Sequence, residues 1–322
     1  MNLLLTGGSG LIGWEFLKHA PRHWNIAVAV HRNDDLPLSS PCHRAVRLDI
    51  TDRNAVEAVV RQIQPEAVVH LGSIGSLDQC KDQPGEARRV NVEGTRNLLE
   101  ATASCAQVFV FSSTMYVFDG THPPYDEEAP TNPVNHYACT KLEAERLVLS
   151  MARRPVILRP MTVYGWHSPA QRKNWVTWLI GKLEAGEPVK VVNDVFNDYL
   201  WVADAGRAIR AALEKGGVSG IFHVGGPEVA SRYEFSRRVA EIFDLPTSLI
   251  TPVGSDYFPS IAQRPGNTTC NIRKLRTILG VEPLGITDGL QSMREAASRQ
   301  LAARAAAQTS QFGAATGSER SI

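Results

Sequence analysis

Short runs of leucine and β-branched residues alternate with helix-periodic stretches through the first half of the chain. NLLLTG, NIAVAVH, AVRLDI, AVVHLG, VFVFSS and PVILRP are each apolar almost throughout, the pattern of a strand covered on both faces. Between them LIGWEFLKHA, DRNAVEAVVRQI, EARRVNVEGTRNLLEATAS and HYACTKLEAERLVLSMA carry apolar residues at helical spacing. Strand and helix repeated in this order predict an α/β fold, a Rossmann-type doubly wound parallel sheet with helices on both faces.

Past residue 165 the alternation loosens. HSPAQRKNWVTWLIGKLEAGEPVKVV predicts a loop, a helix ending at Gly186 and a strand, and WVADAGRAIRAALEKG a helix stopped by Gly216 and Gly217. GIFHVGG predicts a further strand, and RYEFSRRVAEIFDLP and IRKLRTILG small amphipathic helices between proline-containing loops. The expected division is a dinucleotide-binding domain over 1–165 and 196–226, and a smaller mixed, partly helical substrate domain over 166–195 and 227–300. The stretch 301–322, rich in Ala, Ser, Thr, Gln and Gly, reads as a disordered tail.

Composition narrows the field. The 322 residues are 43% hydrophobic with a formal net charge of +1, which gives no electrostatic signal for nucleic acid. Five cysteines stand singly, without the spacing of a disulfide framework or a zinc site, so no metal is expected. No leader of the secretory type and no apolar run of roughly 20 residues is present, so the reading is a cytoplasmic protein away from membranes.

The first strand runs into GGSGLIG, which sets Gly7, Gly10 and Gly13 before a helix that opens with Leu11 and Ile12. In this context glycines let the backbone approach a pyrophosphate, and the helix start offers unpaired N–H groups. The second strand ends His31-Arg32 with no acid until Asp34; an arginine there suits a 2′-phosphate, so NADP(H) is preferred and NAD(H) is the alternative. Asp49, with Ile50 beside it, reads as a cap of the next helix, a contact to the adenine, or both. His70, Leu71 and Gly72 line the floor of the cofactor groove, with His70 read as a satisfied core histidine.

The glycine spacing, NVEGTRNL (Asn91 to Leu98), Ser112-Ser113-Thr114 ahead of Tyr137-x-x-x-Lys141, and RPMTVYG occur in an order that resembles the extended short-chain dehydrogenase/reductase family. TMYVFDGTHPPYDEEAPTNPVNHYACTKLEAE and QRPGNTTCNIRKL are similar to its dTDP-4-dehydrorhamnose reductase branch, which the regulatory β subunit of methionine adenosyltransferase shares. The resemblance implies reduction of a nucleotide-activated 4-keto-6-deoxy sugar, with Thr114, Tyr137 and Lys141 as catalytic residues. It also implies substrate contacts from Ser113, Met115, Tyr116 and Arg264, the last either a diphosphate ligand or a surface salt bridge. A homodimer is compatible with it. The alternatives are an epimerase or dehydratase with bound NAD, and a non-catalytic regulatory subunit.

The chemistry of the residues agrees. Ketone reduction needs a proton donor at the carbonyl oxygen, and a lysine one helical turn from a tyrosine lies on the same face and favours the phenolate. Lys141 can also hydrogen-bond the nicotinamide ribose. Met115 stands where the branch carries an acid, and a thioether replaces neither its charge nor its hydrogen bonds. Glu127 and Glu128, which hold a metal at a dimer contact in some relatives, read as a solvated acidic loop. Asn197, Asp198 and Tyr199 match the segment crossing beneath the pocket, and Arg159 and Tyr164 follow a strand towards it. Trp175 and Trp178 have core spacing, as against a base-stacking platform.

Overall fold

The computed structural model describes residues 1–31, 36–38, 40–168, 170–258 and 262–298. Its frame is a parallel sheet of β1 (Asn2–Thr6), β2 (Asn25–Val30), β3 (His43–Arg47), β4 (Ala67–His70), β5 (Val108–Ser112) and β6 (Pro155–Pro160). Short strands β7 (Val163–Tyr164), β8 (Val189–Val192), β9 (Phe196–Asp198) and β10 (Leu200–Trp201) precede β11 (Gly220–Val224), and β12 (Val229–Ser231) and β13 (Ile250–Val253) follow it. The 7-stranded sheet has the order β11-β6-β5-β4-β1-β2-β3. Strand order reverses between β1 and β4, and the crevice at their carboxyl ends is where open α/β sheets bind ligands.

The apolar strands bury both faces because side chains alternate. Leu3 and Leu5 of β1 enter one core with Phe16 and Ile209, while Leu4 enters the other with Val56, Leu98 and Ala144. The first face is covered by α1 (Leu11–His19) and α8 (Val202–Glu214), the second by α2 (Arg53–Ile63), α5 (Gly94–Thr102) and α6 (His136–Met151). A separate core joins α7 (Trp175–Glu184) and α9 (Arg232–Ile242) to β8, β13 and the helical residues 286–298. Trp175 and Trp178 pack 4.9 Å apart against it, as core residues. Ile272, Leu275, Leu279 and Val281, placed in the smaller unit by the sequence, pack instead with the sheet's core.

One predicted helix is interrupted. After α3 (Leu77–Asp82), the 86–104 stretch forms α4 (Pro84–Arg88), a π turn over Arg89–Glu93, and α5. The wider turn holds buried Asn91, whose side chain accepts from Ile74 N–H at 2.8 Å and donates to Thr140 Oγ1 at 3.0 Å. Such single-turn bulges recur at functional sites. The 301–322 tail and Arg32 lie outside the described residues.

Candidate active site

Gly7 in the turn after β1 and Gly13 in the first turn of α1 each leave no room for a Cβ against the backbone. Gly7 has φ +71, and a Cβ there would stand 2.6 Å from Gly72 N; one on Gly13 would stand 2.3 Å from Gly7 O. Gly10 precedes α1 without a side-chain cap, so the first N–H groups of the helix remain available to an anion. Beside this turn opens a cleft of about 780 Å³, lined by Gly7, Asp49, Ile50, Gly72 and Ile74 among others. Leu11, Ile12 and Leu71 support it from behind, packing against the apolar cores.

Asp49 does not cap α2; Asp52 does, accepting from Ala55 N–H at 3.0 Å. Asp49 accepts from the Thr51 N–H and hydroxyl at 2.9 and 2.8 Å, and His31 Nε2 lies 3.6 Å away. Burial disfavours its charge, but the Thr51 hydrogen bonds outweigh that and hold its pKa below the ordinary carboxylate value.

The cleft floor is tied to the reacting end through His70. Gly72 N–H donates to Thr6 Oγ1, which lies 2.6 Å from His70 Nδ1; Nε2 lies 2.9 Å from Thr95 Oγ1, and that hydroxyl donates to Asn91 O. Because the Thr95 proton is committed to Asn91, the imidazole carries its proton on Nε2 and accepts from Thr6 at Nδ1. Burial, helped by the Lys141 charge, lowers its pKa to about 3 and keeps it neutral.

Asn135 caps α6, accepting from Ala138 N–H at 2.9 Å and donating to Gln263 O at 3.1 Å. The first turns of α6 then carry half-buried Tyr137 and buried Lys141, and the Tyr137 side chain is hydrogen-bonded to Thr114. Tyr137, Lys141 and Thr114 are thus brought together. The expectation that Lys141 favours the phenolate is not met: burial dominates and raises the Tyr137 pKa, with the Thr114 hydrogen bond opposing it. Burial also lowers Lys141 to about 7, against the pull of Glu145. Lys141 Nζ sits 4.0 Å over the Phe111 ring and makes no hydrogen bond among the described residues. A glycine cradle that a Cβ would fill and a buried ammonium with open donors together fit a dinucleotide with a ribose beside Lys141.

The other sequence-predicted residues divide. Tyr116 is partly exposed two residues beyond Thr114, and Ser113 Oγ is buried without a hydrogen-bond partner. Met115, expected at the substrate, turns away: it is 1% exposed and packs with Phe118, Tyr125 and Met161. Apolar surroundings there reward a thioether and would penalise a charge. Arg264 pairs with Asp78 at 3.0 Å. Glu127 is not solvated; it is buried and accepts His223 N–H at 3.1 Å, whereas Glu128 is exposed and paired with Lys274. Among the described residues no group of three or more metal-ligating side chains occurs, and no helix is long and apolar enough to cross a membrane. Asn91 and Asn135 escaped as working residues; both lay inside quoted motifs, without a pattern that singled them out, whereas His70 is the satisfied core histidine expected.

Fold, cleft and glycine turn define a Rossmann-type dinucleotide-binding protein. The chain belongs to the family described as RmlD substrate binding domain, whose model matches residues 1–299. It is 31% identical over 288 residues to methionine adenosyltransferase 2 subunit beta of Bos taurus, covering 86% of this chain and 82% of that one. It is 30% identical over 267 residues to the dTDP-4-keto-6-deoxy-D-glucose reductase of Streptomyces niveus, covering 82% of this chain and 86% of the relative. A solved dTDP-4-dehydrorhamnose reductase from Clostridium acetobutylicum superposes with a TM-score of 0.81 at 26% identity, over 92% of this chain and 100% of that one.

Proposed function

We propose that the chain is an NADP(H)-preferring reductase of a nucleotide-activated 4-keto-6-deoxy sugar, of the dTDP-4-dehydrorhamnose reductase type, built as a dinucleotide unit with a smaller substrate unit. The convergence of Thr114, Tyr137 and Lys141 near the glycine-turned cleft carries the reading. The family match and the likeness to a 4-keto-6-deoxy sugar reductase support it. The basic pair His31-Arg32, which follows β2 in the sequence, supports the phosphorylated dinucleotide.

A bound dinucleotide would supply the hydride for the keto carbon. Gly7, Gly13 and the start of α1 would hold its pyrophosphate, and Lys141 would donate to its ribose. Tyr137 gives its proton to the oxygen that becomes a hydroxyl, and the Thr114 hydroxyl holds that oxygen in line. The raised phenol pKa keeps Tyr137 protonated at neutral pH, the form a reduction consumes. Ser113 and Tyr116 would contact the substrate beside that oxygen, and Arg264, which pairs with Asp78, would exchange that partner for a substrate diphosphate. Purified protein should oxidise NADPH, followed by its absorbance, when given dTDP-4-keto-6-deoxy sugars; no oxidation with any of them refutes the reading.

A second reading, a regulatory subunit, is favoured by the likeness to methionine adenosyltransferase 2 subunit beta. It predicts dinucleotide binding without turnover. The epimerase or dehydratase alternative needs a further acid or base beside the sugar, and buried Met115 supplies none.

A further inference from the structure

Behind the Tyr137–Lys141 face lies a buried ion pair that the chemistry above does not use. Glu145 stands one turn beyond Lys141 on α6 and is 1% exposed; Arg159 on β6 is 2% exposed. Arg159 grips both carboxylate oxygens, Nε to Oε1 at 2.9 Å and Nη2 to Oε2 at 2.7 Å. Its own guanidinium is fixed over the Phe118 ring at 5.3 Å and lies 3.4 Å from His223 Nε2. Every rotamer in this assembly is therefore held, and the carboxylate keeps one place relative to Lys141.

Residues four apart on a helix share a face, and Lys141 has no carboxylate within salt-bridge distance among the described residues. The groups around it are few. Tyr137 and Glu145 lie on its own helix, Cys80 on α3 and His70 on β4, while Glu143 is turned outward to Arg88. His70 is held neutral and the Cys80 thiol is pushed up by burial, so Glu145 is the negative charge that acts on the ammonium. The two-pronged grip of Arg159 satisfies both oxygens of this buried carboxylate.

We infer that Glu145, clamped by Arg159, is a positioning charge that keeps Lys141 protonated and thereby sets the alkaline limit of dinucleotide binding. The inference rests on the dinucleotide part of the proposed function and needs no sugar substrate. Burial alone drives Lys141 towards its neutral amine, which has fewer donors and no charge for a ribose hydroxyl. Taking the negative charge from Glu145 removes the field that opposes this.

The test is the dissociation constant of NADPH, measured by fluorescence titration across pH in the full-length protein. Wild type should show affinity falling on the alkaline side of neutrality. Glu145→Gln should move that fall to lower pH by about one pH unit, the size expected for loss of a nearby charge. Arg159→Lys keeps the positive charge but loses the two-pronged geometry; it should lower thermal stability and leave the fall within about 0.3 pH units of wild type. The Glu145→Gln/Arg159→Met double variant removes both charges together and, if the single variant does not fold, should show an acid-side movement in the same direction but smaller, because the repulsion of Arg159 is lost with the attraction of Glu145. A wild-type profile without an alkaline fall, or an unmoved fall in whichever Glu145 variant folds, overturns the inference. Sugar reduction that fails while the fall moves as expected refutes the proposed function alone.

Discussion

Replacing Lys141 by methionine should make the dinucleotide-free protein more stable while abolishing its chemistry. The ammonium is 2% exposed and burial depresses it from 10.5 to about 7. In an unfolded chain it titrates near its ordinary value, so between about pH 7 and 10.5 the unfolded state holds a proton that the folded state lacks. Stability from this group is therefore present above the unfolded value and is lost as pH falls towards the folded one. A difference of 3.5 pH units, at about 1.4 kcal/mol each, bounds the penalty near 5 kcal/mol. Integrated over the two titrations, it is about 4 kcal/mol at pH 7 and under about 1 kcal/mol at pH 10. Methionine fills nearly the same volume without a charge and suits the Phe111 ring it would meet. Urea unfolding of wild type and Lys141→Met, at both pH values and without dinucleotide, reads the difference directly. A variant no more stable than wild type at pH 7, or a gain as large at pH 10, refutes the picture of a buried, strained ammonium.

Tyr137→Phe should lower NADPH-dependent reduction by about 100-fold or more without weakening NADPH binding, as loss of a general acid requires; unchanged turnover removes the phenol from the mechanism. Gly7→Ala introduces a Cβ 2.6 Å from Gly72 N at φ +71. It should weaken NADPH at least about tenfold through displacement of the turn, and an unaltered titration would show that the cleft is not the dinucleotide site. Asp198 is 1% exposed and burial raises its pKa to about 6. Its protonated form stabilises the fold below the ordinary value and that stability is lost as pH rises through 6. Asp198→Asn should accordingly gain about 1–3 kcal/mol at pH 7 and nothing near pH 4; equal effects at both would assign the gain to packing. Competitive titration with NADPH and NADH tests the His31-Arg32 pair that follows β2 in the sequence, and tighter NADH binding refutes the proposed preference.

The sheet was legible because its signal is redundant: six apolar runs each predict a strand, and their alternation with helical periods leaves one architecture. The interrupted helix at Arg89–Glu93 was not, because a π turn is stabilised by what Asn91 meets across space, Ile74 and Thr140, and neither contact leaves a period in sequence. Tyr137, Lys141 and Thr114 were legible as residue types at useful spacing. Their electrostatics were not, since the sequence shows Lys141 beside Tyr137 but not the burial that raises one and lowers the other. Glu127 misled for the same reason: an acidic pair in a proline-rich loop looks solvated until His223 is placed against it. Asp119 within YVFDG shows what such a motif can hold in place. Its carboxylate accepts from the Thr121 hydroxyl, Tyr125 and Asn132, so the motif organises the loop around the site.

Lys141 and Thr114 bear differently on whether the chain is a catalyst or a regulator. A regulator that binds a dinucleotide would use the Lys141 ammonium for the ribose as a reductase does, so an ammonium buried to 2% with no hydrogen bond of its own among the described residues speaks for dinucleotide binding under either reading. One substitution to methionine would relieve a penalty of about 4 kcal/mol, a large fraction of the stability of an ordinary domain. Retaining Lys141, and surrounding it with neutral His70, Phe111 and the clamped Glu145, is the arrangement expected where the charge is used. Thr114 is what favours a catalyst, since its hydroxyl bonds the phenol as well as accepting Tyr116 N–H, and only the second contact serves the backbone turn. Thr114→Val separates the two readings. A regulator should lose only the modest stability of a turn, about 1 kcal/mol, with NADPH binding intact. A reductase should lose turnover by about tenfold or more beyond that, because the variant cannot hold the substrate oxygen in line with Tyr137. Turnover that follows stability alone would return Thr114 to a structural role and weaken the catalytic reading with it.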